Sequence, residues 1–277
     1  MSLPSLQLDA FMAIALHLNF TKAAISLSVT QSALSQRISQ LEKKLGLLFI
    51  RTTKNVRLTT LGNQLLRYCR NRTALENEFL GQISTNTKNS LNGIIRMAGT
   101  STALRFLILP ALKQFLIQNP YVKLELLEQE LRELPIALET NQADFIVSNQ
   151  CINKKYINSS KIGKESYVLV KSNQYTDEVK DIYLDHDIED ETTGLFLKNQ
   201  RIPISCWRQH YLDNIHLIIE AVKLGIGRAV LPCQILNQEP TLQRVKGMKA
   251  LNVPLYLMYY KQEYYNPLQQ SVLKIFR

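Results

Sequence analysis

The stretch that most constrains the fold of this chain is residues 19–62, which contains two short helical patterns joined by a tight turn. In the second pattern, Thr30 is a favourable N-cap, and apolar residues follow it at spacings of four, three and four. These apolar residues are Leu34, Ile38, Leu41 and Leu45. We therefore predict a helix over residues 31–45 with one buried face.

The opposite face of this predicted helix carries short amide and hydroxyl side chains, whereas a merely solvated face is usually rich in Lys and Glu. These side chains are Gln31, Ser32, Ser35, Gln36 and Ser39. They can pair with the edges of DNA bases. A helix over residues 22–27, with Thr21 as its predicted cap, precedes them across a turn of three residues. This spacing is typical of a helix-turn-helix.

A wing is predicted after Gly46, where the second helix should end. Two short apolar stretches, residues 47–51 and 56–58, flank a basic turn at residues 52–55. Taken alone, the two helices would also fit an amphipathic hairpin packed into a core. The order of helix, helix and wing is more specific and favours DNA binding.

The amino-terminal segment resembles the signature of the LysR-type transcriptional regulators. The resemblance is carried by AFMAIALHLNFTKAAISLSVTQSALSQRISQLEKKLGLLFIR followed by VRLTTLG. It implies that residues on the second helix face the major groove of DNA and that a lysine of the wing reaches toward the minor groove. It also implies that two arginines contact phosphates. Ser32 departs from the family pattern, in which many relatives carry proline. The predicted DNA-binding residues are Thr21, Lys22, Gln31, Ser32, Ser35, Gln36, Ser39, Arg51, Lys54 and Arg57.

The net charge of +10 is concentrated in the same part of the chain. Residues 1–90 hold eleven Lys and Arg against four Asp and Glu, a net of +7, whereas the remaining residues have a net of +3. A basic end alone is weak support, because solvated charge is commoner than a binding face. Beside a helix-turn-helix pattern, it favours double-stranded DNA as a partner.

Length and composition exclude several other classes of protein. With 277 residues and 45% hydrophobic content, the chain can bury a sizeable core in two or three units. It has no run of eighteen apolar residues and no basic leader, so we expect a cytoplasmic protein without a membrane span. Neither a metal, another cofactor nor a disulfide is expected, because the cysteines are far apart and no histidines cluster near them. The cysteines are Cys69, Cys151, Cys206 and Cys233.

A long helix is predicted over residues 61–83, with Thr59 or Thr60 as its cap. In LysR-type proteins the helix at this place pairs with its copy in a partner subunit, so the resemblance implies a homodimer or homotetramer. Arg67, Arg70 and Arg72 lie beside the apolar stripe and suit an exposed helix near DNA. A core helix is the alternative. The polar residues 84–90 are interpreted as a hinge.

From Leu91 onward, predicted strands and helices alternate, which indicates a mainly parallel sheet with helices on its faces. A first βαβαβ half spans residues 94–148, with its first helix at 103–118, and a second half begins with a strand at 167–170 and includes a strand at 204–207. The segments LNGIIRMAG, LPALKQFLIQNP, ADFIVSN and AVKLGIGRAVLP resemble the LysR-type effector domain. The resemblance implies a periplasmic-binding-protein-like clamp of two lobes joined by crossing strands.

The predicted fold is therefore α/β overall, in three parts. An all-α winged helix-turn-helix domain at 1–58 is followed by a linker helix and hinge at 59–90. The effector domain at 91–277 has lobe one at 91–161 and 260–277, and lobe two at 162–259.

A small-molecule effector is expected between the lobes, where strand ends and helix starts meet and free N–H groups favour an anion. Thr100, Ser101 and Thr102 follow the first strand and are candidates for binding a carboxylate, although they also fit a plain capping run. Ser148 and Asn149 are weaker candidates.

Asp185 and Asp187 could meet a cationic group across the cleft, although a solvated loop is the commoner place for such an acidic run. ALENEFLGQI and LDHDIEDETTGLFLK resemble the LysR-type branch that senses lysine or arginine and controls their export. The effector is therefore expected to be an amino acid, and a basic one on this resemblance.

Two other functions fit parts of the pattern. A two-lobed α/β enzyme would need a nucleophile with its base, paired carboxylates or metal ligands, and the four histidines show none of those spacings. An architectural DNA-binding protein without an effector would not need a two-lobed pocket. We therefore predict a ligand-gated transcriptional regulator without enzymatic activity.

Overall fold

The amino-terminal domain is built on three helices. In the computed structural model of the protein, which describes residues 3–52, 55–83, 91–175, 181–203 and 207–277, they are α1 (Ser5–His17), α2 (Phe20–Ser26) and α3 (Gln31–Leu45). Side chains at positions 77, 78 and 80–83 lie outside that description. The apolar faces of the helices form one core that includes Phe11, Leu34 and Ile38. The periodicity predicted for residues 31–45 is confirmed.

The sequence predicts the cap of α3 correctly but not the cap of α2. Thr30 caps α3 as predicted, and its Oγ1 accepts a hydrogen bond from the Ala33 N–H at 3.2 Å. The predicted cap of α2, Thr21, is wrong, because the Oδ1 of Asn19 accepts a hydrogen bond from the Lys22 N–H at 2.9 Å. Asn19 is an equally good capping residue, so α2 begins at Phe20.

The predicted wing is confirmed, so the domain is not strictly all-α. The strands β1 (Phe49–Arg51) and β2 (Val56–Leu58) pair in antiparallel register. Glu42 of α3 ties the wing to the helices, because its Oε1 accepts hydrogen bonds from the N–H groups of Leu48 at 2.9 Å and Phe49 at 3.2 Å. Lys54, the wing residue predicted to reach the minor groove, lies outside the described residues.

The long helix α4 (Thr60–Ile83) begins directly against the wing. Its cap is Thr59, whose Oγ1 accepts a hydrogen bond from the Gly62 N–H at 3.0 Å and donates to the Leu47 carbonyl at 2.7 Å. Leu65 and Leu66 are buried in the amino-terminal core, whereas Phe79 is 62% exposed. The predicted helix is confirmed, and its first half packs on its own domain.

Lobe one of the carboxy-terminal domain is the predicted βαβαβ half, with β3 parallel to both β4 and β5. Its elements are β3 (Gly93–Gly99), α5 (Ser101–Ala103), a π-helical turn (Leu104–Ile108), α6 (Leu109–Gln118), β4 (Val122–Glu128), α7 (Leu134–Glu139) and β5 (Phe145–Ser148). The segment 101–118 is helical without interruption, and it begins two residues before the predicted start.

Lobe two and the return to lobe one complete the domain. Their elements are β6 (Ile157–Ser172), β7 (Ile182–Asp185), α8 (Thr192–Asn199), β8 (Arg208–Tyr211), α9 (Ile215–Lys223), β9 (Ala229–Pro232), α10 (Cys233–Leu236), β10 (Leu242–Arg244), β11 (Leu251–Tyr260) and α11 (Pro267–Ile275). The strands β6 and β11 pair along their length and pass through both lobes. They join a seven-stranded sheet in the order β10-β6-β11-β5-β3-β4, with β9 also paired to β6.

Two sequence predictions for this domain are wrong. The sheet is not mainly parallel, because β6 pairs antiparallel with β9, β10 and β11. The strand predicted at 167–170 begins at Ile157. Residues 158–166 were missed because they form a half-exposed crossing strand, whose polar sequence does not resemble that of a buried strand. A register shift lies between Leu255 and Tyr256, where β11 starts to pair with β5.

The second lobe also contains elements that the sequence did not predict. The helix α8 was missed because its eight residues are too few for a clear period. A strand was predicted at 204–207, but residues 204–206 lie outside the described part of the chain and β8 begins at Arg208. In the described residues, no helix is both long enough and apolar enough to cross a membrane.

The helix α4 is docked onto lobe one through polar contacts. Arg67 lies 4.0 Å over the Tyr260 ring and donates a hydrogen bond to Asn141 Oδ1 at 3.1 Å. Arg70 donates to the Asn141 carbonyl at 3.0 Å and pairs with Asp144 at 3.8 Å. The interpretation that these arginines lie on an exposed helix near DNA is therefore wrong for Arg67 and Arg70, which lie against lobe one. They connect the amino-terminal domain to lobe one.

Candidate functional site

The candidate nucleic-acid surface is the outer face of α3. Its predicted side chains are brought together there: Gln31, Ser32, Gln36 and Ser39 are exposed, and Ser35 is half-buried. Thr21 and Lys22, at the start of α2, are also exposed, and Thr21 Oγ1 donates to Gln31 Oε1 at 3.4 Å. The two helices therefore present one polar surface of hydroxyl and amide groups, which suits base edges and phosphates.

The two predicted phosphate-contacting arginines of the wing differ in their surroundings. Arg51 Nη2 pairs with Glu42 Oε2 at 3.2 Å, and its guanidinium lies 4.5 Å from the centre of the Phe20 ring. A phosphate would have to compete with these contacts. Arg57 is exposed on β2, next to the wing tip. Arg57 is therefore better placed than Arg51 to bind a phosphate.

The candidate effector site is a cavity of about 370 Å³ between the two lobes. The hydroxyl run Thr100, Ser101 and Thr102 lines it from lobe one, together with Asn149. Asp185 and Asp187 line it from lobe two. These predicted residues are thus brought together in one cleft. Ser148 is the exception, because it is outside the lining and its Oγ accepts a hydrogen bond from the Gln150 N–H at 3.1 Å.

The hydroxyl run begins the helical segment 101–118, as predicted for an anion site. Thr100 is in the N-cap position, but its side chain makes no capping hydrogen bond. The first N–H groups of the helix therefore have no capping acceptor from Thr100. They can donate to a ligand carboxylate in the cavity.

Asp185 ends β7 at the cavity and is only 2% exposed, so the solvated-loop interpretation is wrong for this residue. Its Oδ1 accepts a hydrogen bond from Thr193 Oγ1 at 2.5 Å, and its Oδ2 accepts one from Gln209 Nε2 at 2.7 Å. Burial raises the pKa of Asp185, and these two hydrogen bonds oppose that shift. Because both oxygens already have donors, Asp185 is less available to a ligand than Asp187.

A cluster that sequence reasoning missed surrounds His186 in the same cleft. His186 lies 3.5 Å from Glu130 of lobe one, 3.8 Å from Asp187 and 3.7 Å from Asp213. Burial raises the pKa of Glu130, and the charge of His186 opposes that rise. A second contact between the lobes pairs Arg132 with Glu189 at 2.8 Å. The carboxylates of both lobes thus converge on one wall of the cavity.

A larger cavity, of about 660 Å³, lies between α4 and lobe one. Its charged side chains already have partners: Asp144 lies 3.8 Å from both Arg70 and Arg96, and Arg67 contacts Asn141 and the Tyr260 ring. Burial raises the pKa of Asp144, and the two arginines oppose that shift. Since these groups satisfy each other, the smaller cleft between the lobes is the better candidate for a charged effector.

The cysteine thiols differ in their exposure. Burial raises the pKa of the Cys69 thiol to about 11, which makes it a poor nucleophile. Cys151 is exposed, and Cys206 lies outside the described residues. Within the part of the chain that the structure describes, no three His, Cys, Asp or Glu residues are grouped so that they could hold a metal ion.

Comparison with known proteins identifies both domains of the chain. Residues 6–63 match the bacterial regulatory helix-turn-helix proteins of the lysR family, and residues 88–277 match the LysR substrate binding domain. A putative transcriptional regulator of Pseudomonas aeruginosa is 38% identical over 117 residues, which are 42% of this chain and 38% of that protein. The chain thus spans little more than a third of that relative.

Two solved structures share the fold over nearly the whole chain. ArgP from Mycobacterium tuberculosis has a TM-score of 0.78 at 23% identity, over 99% of this chain and 96% of that one. Full-length LysG from Corynebacterium glutamicum, with its bound effector Arg, has a TM-score of 0.73 at 18% identity, with the same coverage. Since the family matches cover both domains, the chain belongs to the LysR-type transcriptional regulators, which are DNA-binding proteins with an effector domain and not enzymes.

Proposed function

We propose that this regulator binds a basic amino acid between its lobes and that binding alters its action on DNA. The observation that carries the proposal is the charge of the cleft. Among the described residues, eight carboxylates line the cavity against a single arginine, Arg132. They are Glu128, Glu130, Glu165, Asp185, Asp187, Glu189, Asp190 and Asp213. Such a cleft attracts a cation and disfavours a plain anion.

In the proposed complex, the two ends of the amino acid occupy different walls. The α-carboxylate accepts hydrogen bonds from the N–H groups where the helix begins and from the hydroxyls of Thr100 and Ser101. The cationic side chain lies near Glu130 and Asp187, beside His186. Hydrogen bonds of this charged kind contribute roughly 1.5–3 kcal/mol each when water is excluded. The LysG structure named above, solved with Arg as its effector, supports this choice.

We also propose how the regulator is assembled and where it acts. Tyr68, Leu75 and Phe79 are exposed along α4 at spacings of seven and four, which places them on one face. This stripe would pair with a second copy, and two reading heads would then bind a duplex as a homodimer or homotetramer. Leu66 does not belong to the stripe, because it is buried in the amino-terminal core. A cytoplasmic location follows from binding chromosomal DNA.

Replacing Ser35 or Gln36 with alanine is expected to weaken binding to the target operator much more than binding to random duplex. Each side chain lies on the polar face of α3, and a lost base contact costs roughly 1–3 kcal/mol. Fluorescence anisotropy with both duplexes measures the two affinities. The matched control is Arg57→Ala, which should weaken both duplexes and flatten the salt dependence. Equal losses on both duplexes for Ser35→Ala would contradict base recognition by α3.

The effector proposal predicts that arginine or lysine binds the full-length protein at least about tenfold more tightly than a neutral isostere such as citrulline. Calorimetric titration measures this directly. Asp187→Asn should reduce the affinity for arginine by about tenfold and leave that for citrulline almost unchanged. Glu263→Gln is the matched control, because Glu263 is exposed and lies outside the cavity lining. The proposal fails if neither basic amino acid gives heat, or if citrulline binds as tightly.

A further inference from the structure

Glu165 is a buried carboxylate at the point where β6 passes between the lobes. It is only 4% exposed, and it lines the cleft together with the hydroxyl run of lobe one. Its strand partner is Val253 of β11, which is the other crossing strand. Glu165 therefore lies where the two crossing strands meet the cavity and belongs to neither wall of it.

The partners of Glu165 are neutral. Its Oε2 accepts a hydrogen bond from the Tyr167 hydroxyl at 2.7 Å, and its carboxylate also accepts one from the Thr102 side chain. Among the described residues, no Lys, Arg or His forms an ion pair with it. Burial raises the pKa of Glu165, and the two hydrogen bonds oppose that shift. A buried carboxylate without a cation is costly unless a ligand supplies the charge.

The cavity contains a second buried acceptor that lacks a donor. Asn149 also lines the cavity, and its buried Oδ1 has no hydrogen-bond partner within the described residues. An unpaired buried carbonyl oxygen costs about 1–3 kcal/mol, so a native structure usually provides a donor for it. Glu165 and Asn149 thus give the cleft two acceptors that a ligand with several N–H donors would satisfy.

The position of Glu165 relative to the hydroxyl run suits one chemical group. An amino acid carries its ammonium and its carboxylate on the same carbon, so their binding groups must lie side by side. Thr102, at the helix start that suits a carboxylate, is hydrogen-bonded to Glu165. The donors and the acceptor required by a zwitterion are therefore adjacent, and the carboxylates around His186 remain for the side chain.

We propose that Glu165, with Asn149 as a second acceptor, binds the α-ammonium group of the effector and so restricts the cleft to α-amino acids. This inference rests on the proposed amino-acid function and adds the residue that distinguishes an α-amino acid from a carboxylate with the same side chain. Asp187 and Glu130 bind the cationic side chain of the ligand, whereas Glu165 binds its α-ammonium group.

The test compares arginine and lysine with analogues that lack only the α-ammonium group, 5-guanidinopentanoate and 6-aminohexanoate, on the full-length protein by calorimetry. The wild-type protein is expected to bind arginine or lysine about tenfold to a hundredfold more tightly than the matching analogue. In Glu165→Gln, that preference is expected to fall to less than about threefold, because the amino acid binds more weakly and the analogue does not.

The outcomes separate the two proposals. If the wild-type protein binds neither the amino acids nor the analogues, the proposed function fails. If the wild-type protein binds an amino acid and its analogue equally, or if Glu165→Gln weakens both by the same factor, the assignment of Glu165 is overturned while the basic effector stands. Asn149→Ala provides the second variant if Glu165→Gln does not fold. It should lower the preference for the amino acid severalfold, and an unchanged preference would overturn the role of Asn149.

Discussion

Replacing Gly62 with alanine is expected to destabilise the DNA-binding domain by about 3 kcal/mol, an effect at the upper end for overpacked sites. A Cβ at this position would lie 2.3 Å from the Leu48 carbonyl oxygen and 2.9 Å from Leu58 Cδ2. The carbonyl cannot turn away freely, because it accepts a hydrogen bond from the Thr59 N–H at 2.9 Å. The start of α4 would therefore have to move off the wing.

The sign of this effect is informative, because glycine to alanine within a helix otherwise stabilises a protein by roughly 0.5–1 kcal/mol. Gly194→Ala in α8 is the matched control, since its Cβ would meet Trp207 at an ordinary 3.7 Å. Urea unfolding, followed by circular dichroism, measures both variants. A Gly62→Ala variant as stable as the wild-type protein would show that α4 does not start against Leu48.

Replacing Asn141 with glycine is expected to loosen the contact between α4 and lobe one by about 2 kcal/mol, through the loss of side-chain hydrogen bonds that are nearly inaccessible to water. Asn141 Nδ2 donates to the Asn63 carbonyl at 2.9 Å, and Asn141 Oδ1 accepts from Arg67 at 3.1 Å. The backbone of Asn141 has a φ of +56°, which glycine adopts without strain. The substitution therefore removes the side-chain contacts while the local turn is retained.

Hydrogen exchange of the α4 amides measures how often this contact opens. A loss of about 2 kcal/mol should make opening of the contact roughly thirtyfold more frequent. Exchange within β3 should stay close to the wild-type rate, because its ladder does not involve Asn141. Arg201→Gly is the control: Arg201 also has a positive φ, of +60°, but is exposed. Unchanged exchange in α4 would mean that this contact does not hold the two domains together.

This contact gives effector binding a physical route to the DNA-binding domain. Asn141 follows α7 of lobe one, and Arg70 of α4 donates to its carbonyl. A ligand that shifts lobe one relative to lobe two would shift this attachment point as well. In Asn141→Gly, the effect of arginine on operator affinity should therefore shrink, even where its affinity for the cleft is unchanged.

The amino-terminal elements were predictable because their determinants are local. Thr30 caps α3 three residues from its partner, and the period of α3 is set by side chains one turn apart. The same is true of Thr59 at the start of α4. The exposed polar face of α3 and the hydroxyl run at Thr100–Thr102 could be found from short segments for the same reason.

The remaining features depend on contacts between distant parts of the chain, which periodicity does not encode. Glu165 was missed because the polar sequence of residues 158–166 hid a crossing strand, and because its partner Thr102 is distant in sequence, at the start of the helical segment 101–118. In the sequence, Arg67 and Arg70 are charges on the surface of a helix. Their partner in lobe one, Asn141, is distant in the chain and could not be predicted. The sequence by itself determined the helix-turn-helix, the wing, the cap at Thr30 and the resemblance to the LysR-type family. Only the tertiary structure decided which charges meet, because the energy of a charged group depends on burial and on the partners that folding brings to it.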